Sequence, residues 1–213
     1  MRILALVSQK GGVGKTTLAG HLAVAAERGG ETVALLDTDP QGSLAAWWNS
    51  RTAETPLFVR GNLAELRQQL AELEKMGINL VVIDTPPAIT AHIQLVVECA
   101  DLIIIPARPS PHDLRAVGGT IELVEPTGKP MIFVVNGATQ RAKITADAAI
   151  ALSQHGTVAP TTVHQRVDFA NSMIDGRTVG ELDANSNSAK EVAELWNYVN
   201  TRLRKAVKET AHV

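Results

Sequence analysis

Residues 8–17 of this chain read Ser-Gln-Lys-Gly-Gly-Val-Gly-Lys-Thr-Thr and follow directly on an apolar run, Ile3–Val7. The three glycines allow backbone N–H groups to converge on phosphate oxygens without a clash from side chains. Lys15 begins a helical pattern, so the partial positive charge of a helix N-terminus is added to the site. Its amine can reach the outer phosphates of a nucleotide, and the Thr16 hydroxyl can bind Mg²⁺. The order of strand, loop and helix favours a phosphate-binding loop over a glycine-rich turn without a ligand.

This loop departs from the common form, G-x-x-x-x-G-K-[ST], because Gln9 stands at the first glycine and a second lysine, Lys10, precedes the glycine pair. The form K-G-G-x-G-K-[ST]-T resembles the deviant Walker A loop of the ParA/MinD family of P-loop ATPases. In that family the extra lysine reaches the nucleotide of a second subunit. The resemblance therefore implies a homodimer with two sandwiched ATP molecules, in which Lys10 and Lys15 are both catalytic. The loop residues expected to bind ATP are Lys10, Gly11, Gly12, Val13, Gly14, Lys15, Thr16 and Thr17.

The composition fits one globular α/β domain over residues 1–213, since 45% of the residues are hydrophobic and 20% are charged. The net charge of −2 gives no whole-molecule sign of a nucleic-acid partner, so DNA binding would need a local basic patch. One cysteine, Cys99, excludes an internal disulfide and a cysteine cluster. No apolar run approaches the ~20 residues of a membrane span, and the chain opens on a strand pattern instead of a signal peptide. We therefore expect a cytoplasmic protein.

Strand and helix patterns alternate along the chain. Short apolar runs rich in Val and Ile are typical of strands covered on both faces, as in a parallel sheet. The predicted strands are Ile3–Val7, Thr32–Leu36, Leu80–Ile83, Leu102–Ile105 and Met131–Val135, with a further one at Val158–Val163 broken by Pro160. The predicted helices are Thr16–Arg28, Leu63–Met76, Pro111–Val124 with Ser110 as N-cap, Lys143–Gln154 and Ala189–Val207. This alternation predicts a three-layer α/β/α sandwich around a mainly parallel, doubly wound sheet.

Two carboxylates leave the end of the second predicted strand, in Asp37-Thr38-Asp39-Pro40. Open α/β sheets bind ligands at that edge, and ATP hydrolysis needs a water oriented in line with the γ-phosphorus. The segment resembles the D-x-D-P switch of the family, in which the aspartate before the proline positions the attacking water. The resemblance assigns this catalytic role to Asp39, whereas Asp37 is expected to support the Mg²⁺ shell or the loop. An acidic turn without chemistry is the alternative.

Residues 81–87, Val-Val-Ile-Asp-Thr-Pro-Pro, form an apolar strand pattern that ends in an aspartate, and Asp-Thr-Pro-Pro resembles the second switch of ParA proteins. Asp84 is expected to ligate Mg²⁺ directly or to accept a hydrogen bond from a metal-bound water. The predicted metal site therefore comprises Thr16, Asp37 and Asp84.

The fifth strand pattern ends in Asn136, followed by Gly137-Ala138-Thr139. GTPases of the wider class carry N-K-x-D at this place, and the missing lysine and aspartate favour ATP over GTP. Asn136 is expected to bond the adenine amino group or N7, unless its role is structural. Residues 104–113 resemble the P-x-x-P-S-x-x-D stretch that borders the dimer face in relatives, so Asp113 either binds across that face or belongs to a rigid turn.

Basic residues collect towards the C-terminus. Arg166 and Arg177 lie in a segment that resembles part of the small plasmid ParA proteins. Arg202, Lys205 and Lys208 recur every three residues and share roughly one side of a helix. The resemblance implies that these residues bind DNA without sequence preference, through phosphates and therefore with a steep dependence on salt, and that Arg166 contacts either DNA or the nucleotide. A solvated helix face is the alternative.

The resemblance covers the whole chain and is greatest to small plasmid-type ParA partition proteins. It implies that ATP and Mg²⁺ drive dimerisation, that the dimer binds DNA on the nucleoid, and that a ParB-like or other cargo-adaptor protein stimulates hydrolysis. Such a cycle segregates a plasmid, a chromosome or another cargo. Larger relatives carry a helix-turn-helix domain before the P-loop strand, and none is expected here.

Two other classes of P-loop protein are the alternatives. A membrane-surface ATPase of the MinD type needs an amphipathic tail with a wide apolar face, and Lys205 to Val213 has too few large apolar residues. A metabolic relative that carries an iron–sulfur cluster needs paired cysteines. An amidoligase does not, but the two aspartate switches argue against it.

Overall fold

A computed structural model describes residues 1–88 and 91–210 of the chain. The strands of these ranges form one sheet in which every pairing is parallel. Its order is β3-β2-β4-β1-β5-β6-β7, and β8 also pairs with β6. The strands are β1 (Arg2–Leu6), β2 (Val33–Asp37), β3 (Leu57–Arg60), β4 (Leu80–Asp84), β5 (Leu102–Ala107), β6 (Met131–Ala138), β7 (Thr157–Val158) and β8 (Val163–His164).

Helices connect the strands and cover both faces of the sheet. They are α1 (Lys15–Arg28), α2 (Ser43–Asn49), α3 (Leu66–Lys75), α4 (Ala91–Cys99), α5 (Pro111–Val124), α6 (Lys143–Ser153), α7 (Val167–Met173), α8 (Val179–Leu182) and α9 (Asn187–Thr210). Short 3₁₀ turns precede α3 and follow α5.

The core consists of two aliphatic layers, because successive side chains of a strand point to opposite faces. In β1, Leu4 and Leu6 pack with side chains of α1, α2 and α9, whereas Ala5 packs with those of α3, α4, α5 and α6. The structure thus confirms the predicted three-layer, doubly wound sandwich.

The predicted boundaries of the main elements agree with the structure to within three residues. One exception is the strand predicted at Val158–Val163, which is two separate two-residue strands, β7 and β8. Pro160 lies between them and has no N–H to donate to a sheet ladder. The sequence patterns did not indicate β3, which is half-exposed, helix α4, or the short helices α7 and α8.

Helix α2 packs closely on α1 through one tryptophan. A Cβ atom at Gly20 would lie 3.2 Å from the Trp47 ring, so the glycine allows the two helices to approach. The Trp47 indole N–H also donates to the carbonyl oxygen of Arg177, 3.1 Å away, before α8. Helix α2 is therefore fastened to α1 and to the segment that leads into α8.

Candidate nucleotide-binding site

The phosphate-binding loop lies at the carboxyl end of β1, between the neighbouring strands β4 and β5. Gly12 and Gly14 have φ values of 75° and 94°, which side-chain-bearing residues rarely adopt. Between them, Val13 is buried and anchors the loop in the core. Gly14 is the N-cap residue of α1, so the first N–H groups of this helix face the loop.

The Lys15 amine lies inside the loop. Its Nζ donates to the carbonyl oxygens of Ser8 at 3.3 Å and of Lys10 at 3.4 Å. Only 6% of the residue is exposed, and this burial lowers the pKa of the Lys15 amine, although the charges of Asp84 and Asp39 oppose the shift. The amine therefore lies where the phosphate oxygens of a nucleotide would accept its hydrogen bonds in place of water.

Thr16 and Asp84 meet at the position expected for a metal ion. The Thr16 hydroxyl donates to Oδ2 of Asp84 at 2.6 Å, whereas Oδ1 of Asp84 is buried without a hydrogen-bond partner. Burial raises the pKa of the Asp84 carboxyl to about 7. A hydroxyl and an unsatisfied carboxylate oxygen are ligands that Mg²⁺ accepts. These residues therefore fit Mg²⁺, with phosphate oxygens and water completing its coordination.

The described residues contain no cluster of three or more His, Cys, Asp or Glu side chains suited to a metal.

Asp37 supports the first switch loop. Its Oδ1 accepts the N–H of Asp39 and its Oδ2 accepts the N–H of Ala45 in α2, both at 3.0 Å. Burial raises the pKa of the Asp37 carboxyl, and these two hydrogen bonds oppose that shift. Of the two roles expected for Asp37, these contacts favour support of the loop.

Asp39 is half-exposed at the mouth of the site. Its Oδ1 accepts the N–H of Gln41 at 3.0 Å, and its carbonyl oxygen accepts the N–H of Gly42 at 2.9 Å. The carboxylate also acts electrostatically on Lys15. Asp39 therefore lies beside the predicted phosphate site on a turn that leaves its carboxylate accessible.

Two buried threonines, which the sequence analysis did not assign, fasten the switch loops to neighbouring strands. The Thr38 hydroxyl donates to the carbonyl oxygen of Asp84, and the Thr85 hydroxyl donates to that of Leu6, both at 2.7 Å. Each threonine directly follows an aspartate in its motif, and this shared Asp-Thr pair was the sequence feature that could have indicated a common role.

A cavity of about 240 Å³, here named the base cavity, adjoins Gly14 and is large enough for a nucleobase. The Nδ2 of Asn136 donates to the Val13 carbonyl oxygen at 2.7 Å, and a Cβ atom at Gly14 would collide with that nitrogen. Asn136 thus holds the phosphate loop and lines the cavity at the same time. The remaining walls come from Thr17, Leu18, Arg108, Gly137, Val163, His164, Gln165, Arg166, Phe169, Ala170 and Met173.

Lys10 is exposed at the rim of the loop, unlike Lys15. Its backbone N–H donates to the Ser8 hydroxyl at 3.2 Å, and the preceding N–H, of Gln9, donates to Oγ1 of Thr120 in α5 at 3.1 Å. The backbone around Lys10 is therefore fixed while its side chain extends into solvent.

The basic residues predicted to bind DNA lie in three places. Arg166 lines the base cavity and pairs with Glu191, and Arg177 pairs with Asp175 before α8. Arg202 and Lys205 line a cleft with the first residues of β5, β6 and β7, so they lie at the opposite edge of the sheet, and Lys208 follows on the same helix. The structure therefore separates Arg166 and Arg177 from the basic end of α9.

Asp113 is engaged within its own helix end. Its N–H donates to the Ser110 hydroxyl oxygen at 3.1 Å, and that hydroxyl donates to the Asp113 carboxylate. Ser110 is the predicted N-cap of α5, and these contacts favour the rigid-turn interpretation of the segment.

Comparison with known proteins agrees with this geometry. The model of the CobQ/CobB/MinD/ParA nucleotide binding domain matches residues 4–179. A Halothiobacillus neapolitanus protein, maintenance of carboxysome distribution protein A, is 34% identical over 92% of this chain and 95% of its own length. The chromosome-partitioning ATPase Soj of Thermus thermophilus is 26% identical over 97% of this chain and 98% of its own length.

Among solved structures, the MinD cell division protein of Aquifex aeolicus superposes with a TM-score of 0.77 at 17% identity, covering 94% of this chain and 98% of that one. At this identity the likeness concerns the fold alone. The family match spans the strands and loops that hold Lys15, Asp39, Asp84 and Asn136. The chain therefore belongs to the CobQ/CobB/MinD/ParA family of nucleotide-binding P-loop proteins, as the form of its phosphate loop implied.

Proposed function

We propose that this protein is an ATP-dependent positioning ATPase. In this proposal two copies close over two ATP molecules, the dimer binds DNA without sequence preference, and a partner protein stimulates hydrolysis and so releases the dimer from DNA. The observation that carries the proposal is the similarity, over nearly the whole chain, to two proteins named for carboxysome distribution and chromosome partitioning.

The site supports the nucleotide part of this proposal. Lys15 would bind the outer phosphates, and Thr16 with Asp84 would hold Mg²⁺, which when bound neutralises negative charge on the phosphates. Asp39 would orient the attacking water, because its carboxylate is accessible and its backbone is fixed by the turn. Asn136 and the cavity beside Gly14 would receive the adenine.

Lys10 supports the dimer part. A lysine whose backbone is fixed and whose side chain is exposed beside the phosphate loop is able to reach a nucleotide on a facing subunit. The cargo would be a plasmid, a chromosome or a large protein assembly, and the relative named for carboxysome distribution favours an assembly. Its adaptor would be a ParB-like or functionally equivalent protein.

The decisive experiment is a gel shift on arbitrary duplex DNA with ATP, ADP and no nucleotide, combined with a phosphate-release assay. Asp39→Ala should bind ATP and DNA but hydrolyse ATP about 100-fold more slowly, because the water loses its orienting carboxylate. Asp147→Ala, which removes an exposed carboxylate from α6, is the matched control. ATP-independent DNA binding, or undiminished hydrolysis by Asp39→Ala, would contradict the proposal.

A membrane-surface ATPase is the first rival. In the described part of the chain no helix is long and apolar enough to cross a membrane. The apolar side of α9, including Val192, Leu195, Val199 and Leu203, is buried in the protein core and is not free to enter a lipid surface. Residues 211–213 of the tail lie outside the described residues. Sedimentation with liposomes and ATP tests this rival.

An amidoligase is the second rival, because a cobyrinic acid a,c-diamide synthase from Mycobacterium smegmatis shares the fold, with a TM-score of 0.75 at 18% identity. The whole-length relatives named for distribution and partitioning favour the positioning role. Stimulation of ATP hydrolysis by DNA and a partner, compared with stimulation by small carboxylic acids and ammonia, separates the two.

A further inference from the structure

We propose that Glu191, in α9, is a positioning residue that holds the loop between β8 and α7 as a wall of the base cavity and so sets the preference for ATP over GTP. The inference rests on the proposed function, since it takes this cavity as the place of the nucleobase. Glu191 lies outside all of the sequence motifs described above and is not among the residues that line the cavity.

Glu191 receives four hydrogen bonds from two residues, His164 at the end of β8 and Arg166 in the loop that follows it. Its Oε2 accepts the backbone N–H of His164 at 3.0 Å, and its Oε1 lies 2.7 Å from the His164 Nδ1. The Arg166 guanidinium donates to both oxygens, at 2.5 and 2.8 Å. Such a two-pronged contact between arginine and carboxylate fixes geometry as well as distance.

The contact is largely shielded from water. The side chains of Glu191 and Arg166 are 14% and 16% exposed. Burial alone would raise the pKa of the Glu191 carboxyl, but the hydrogen bonds from Arg166 and His164 outweigh it and leave that pKa below its usual value. The carboxylate is therefore charged across the physiological range, and the loop is held by a persistent ion pair.

The loop itself has little regular structure to hold it. Strand β8 contains two residues and pairs with β6 through an irregular register at Asn136 and Ala138. Beyond it, the N–H of Gln165 donates to the Ala138 carbonyl oxygen at 2.9 Å. The side-chain contact with Glu191 is thus a main constraint on where this wall stands.

Glu191 is itself rigidly placed. The next residue, Val192, and Leu195 one turn later are buried in the core. Because α9 is fixed in this way, the carboxylate forms a stationary anchor, and the loop is the element that would shift if the contact were lost. A displaced wall changes the shape of the cavity without touching the phosphate loop on its other side.

Adenine and guanine differ in the donors and acceptors along one edge, and a site distinguishes them only if its polar groups are held in place. Relaxation of the wall should therefore reduce ATP affinity more than GTP affinity. A general loss of stability would weaken both nucleotides alike, which makes the ratio of the two dissociation constants the informative quantity.

The test compares Glu191→Gln with wild type by calorimetric titration of ATP and GTP in the presence of Mg²⁺. The variant keeps the size of the side chain but loses its charge, and the Kd for ATP should rise about tenfold while that for GTP changes little. Glu194→Gln, which removes an exposed carboxylate from the same helix, is the matched control and should behave as wild type. Arg166→Gln breaks the same ion pair from the loop side and should reproduce the effect if Glu191→Gln does not fold.

Two results would overturn the inference. One is an unchanged ratio of the two dissociation constants in Glu191→Gln, including an equal loss for both nucleotides. The other is a wild type that binds ATP and GTP equally. These results leave the proposed function standing, because it needs only ATP binding and turnover. A wild type that binds no nucleotide would instead overturn the proposed function and this inference with it.

Discussion

Charged residues lie under different conditions in the phosphate site, at the carboxyl edge of the sheet, and on the last turns of α9, at the amino edge. At the carboxyl edge, Lys15 and Asp84 are almost fully buried, and their pKa values are shifted by that burial. At the amino edge, the Lys205 side chain is 64% exposed and its amine lies 3.6 Å from Glu209, an exposed pair of the kind that contributes little to stability.

The difference follows from what each region is proposed to bind. Phosphoryl chemistry requires charges that are desolvated and fixed, because only then are they strong and correctly aimed. Binding to the DNA backbone requires net positive charge near phosphates, and water need not be excluded. Single substitutions should therefore have large effects at the first edge and small, additive effects at the second.

The largest effect is expected at Lys15. Lys15→Ala removes the buried amine that would bind the outer phosphates, so the Kd for ATP should rise at least about 100-fold. Calorimetric titration measures this, with Lys75→Ala, on the exposed end of α3, as the control. Wild-type affinity in Lys15→Ala would erase the distinction between the two edges.

Lowering the pH should reduce the free energy of unfolding through the titration of His21. This residue is 1% exposed in α1; its Nδ1 lies 2.8 Å from the Thr17 carbonyl oxygen, and its Nε2 accepts the Val179 N–H at 3.2 Å. Burial lowers the pKa of the imidazole from 6.5 to about 4. Between these values the unfolded chain binds a proton that the folded chain does not, so stability falls as the pH drops.

From pH 7 to pH 5 this group should reduce the free energy of unfolding by about 2 kcal/mol. Urea unfolding at the two pH values measures the loss, and His21→Gln should lack this part of it. His155→Gln, at an exposed position, should retain it. The same pH dependence in wild type and His21→Gln would show that the sensitivity arises elsewhere.

Lys10 tests the boundary between the two kinds of region, because it belongs to the phosphate loop and yet is exposed. Lys10→Ala should raise the dissociation constant of the ATP-dependent dimer about tenfold, since one charge-assisted contact to phosphate is lost in each direction. Light scattering with ATP measures the change, with Lys143→Ala on exposed α6 as the control. An unchanged dissociation constant of the dimer would show that Lys10 is a solvated charge without a contact to the nucleotide of the facing subunit.

The smallest effects are expected at the end of α9. Lys205→Ala and Lys208→Ala should each make the negative slope of log affinity against log salt shallower by about 1 in the binding of arbitrary duplex DNA. Lys190→Ala, at the other end of the same helix, should leave the slope unchanged. If neither lysine alters the slope, DNA binding must use another surface.

The same contrast explains what the sequence could predict. The phosphate loop and the two aspartate motifs could be recognised from residue type and local spacing, and the structure brings Asp39 and Asp84 close to Lys15. The long strands were identifiable because burial on both faces produces continuous apolar runs. The contact of Glu191 with His164 joins residues 27 positions apart through the tertiary fold, so no local pattern announces it. Strand β3 and helices α7 and α8 are too short for a clear periodicity.

Basic residues were the least predictable, because a lysine or arginine in the sequence does not state its partner. Arg166 was assigned to DNA or to the nucleotide, and the structure gives it a carboxylate partner beside the base cavity. Arg202 stacks on Tyr198, with its guanidinium 5.6 Å from the ring centre. The periodicity of the basic residues placed Arg202 on the correct helix, but it did not reveal that this side chain already contacts Tyr198.

The attachment of Trp47 gives the protein a built-in optical reporter. The indole sits in α2, directly after the turn that carries Asp39, and its N–H is bonded to a carbonyl group of another segment. Tryptophan emission depends on hydrogen bonding and on access of water, so any rearrangement of the first switch that displaces α2 should register as a shift in intrinsic fluorescence. Closure of the switch could thus be timed in a stopped-flow instrument without an added dye, with Trp48→Phe and Trp196→Phe substitutions to isolate the signal.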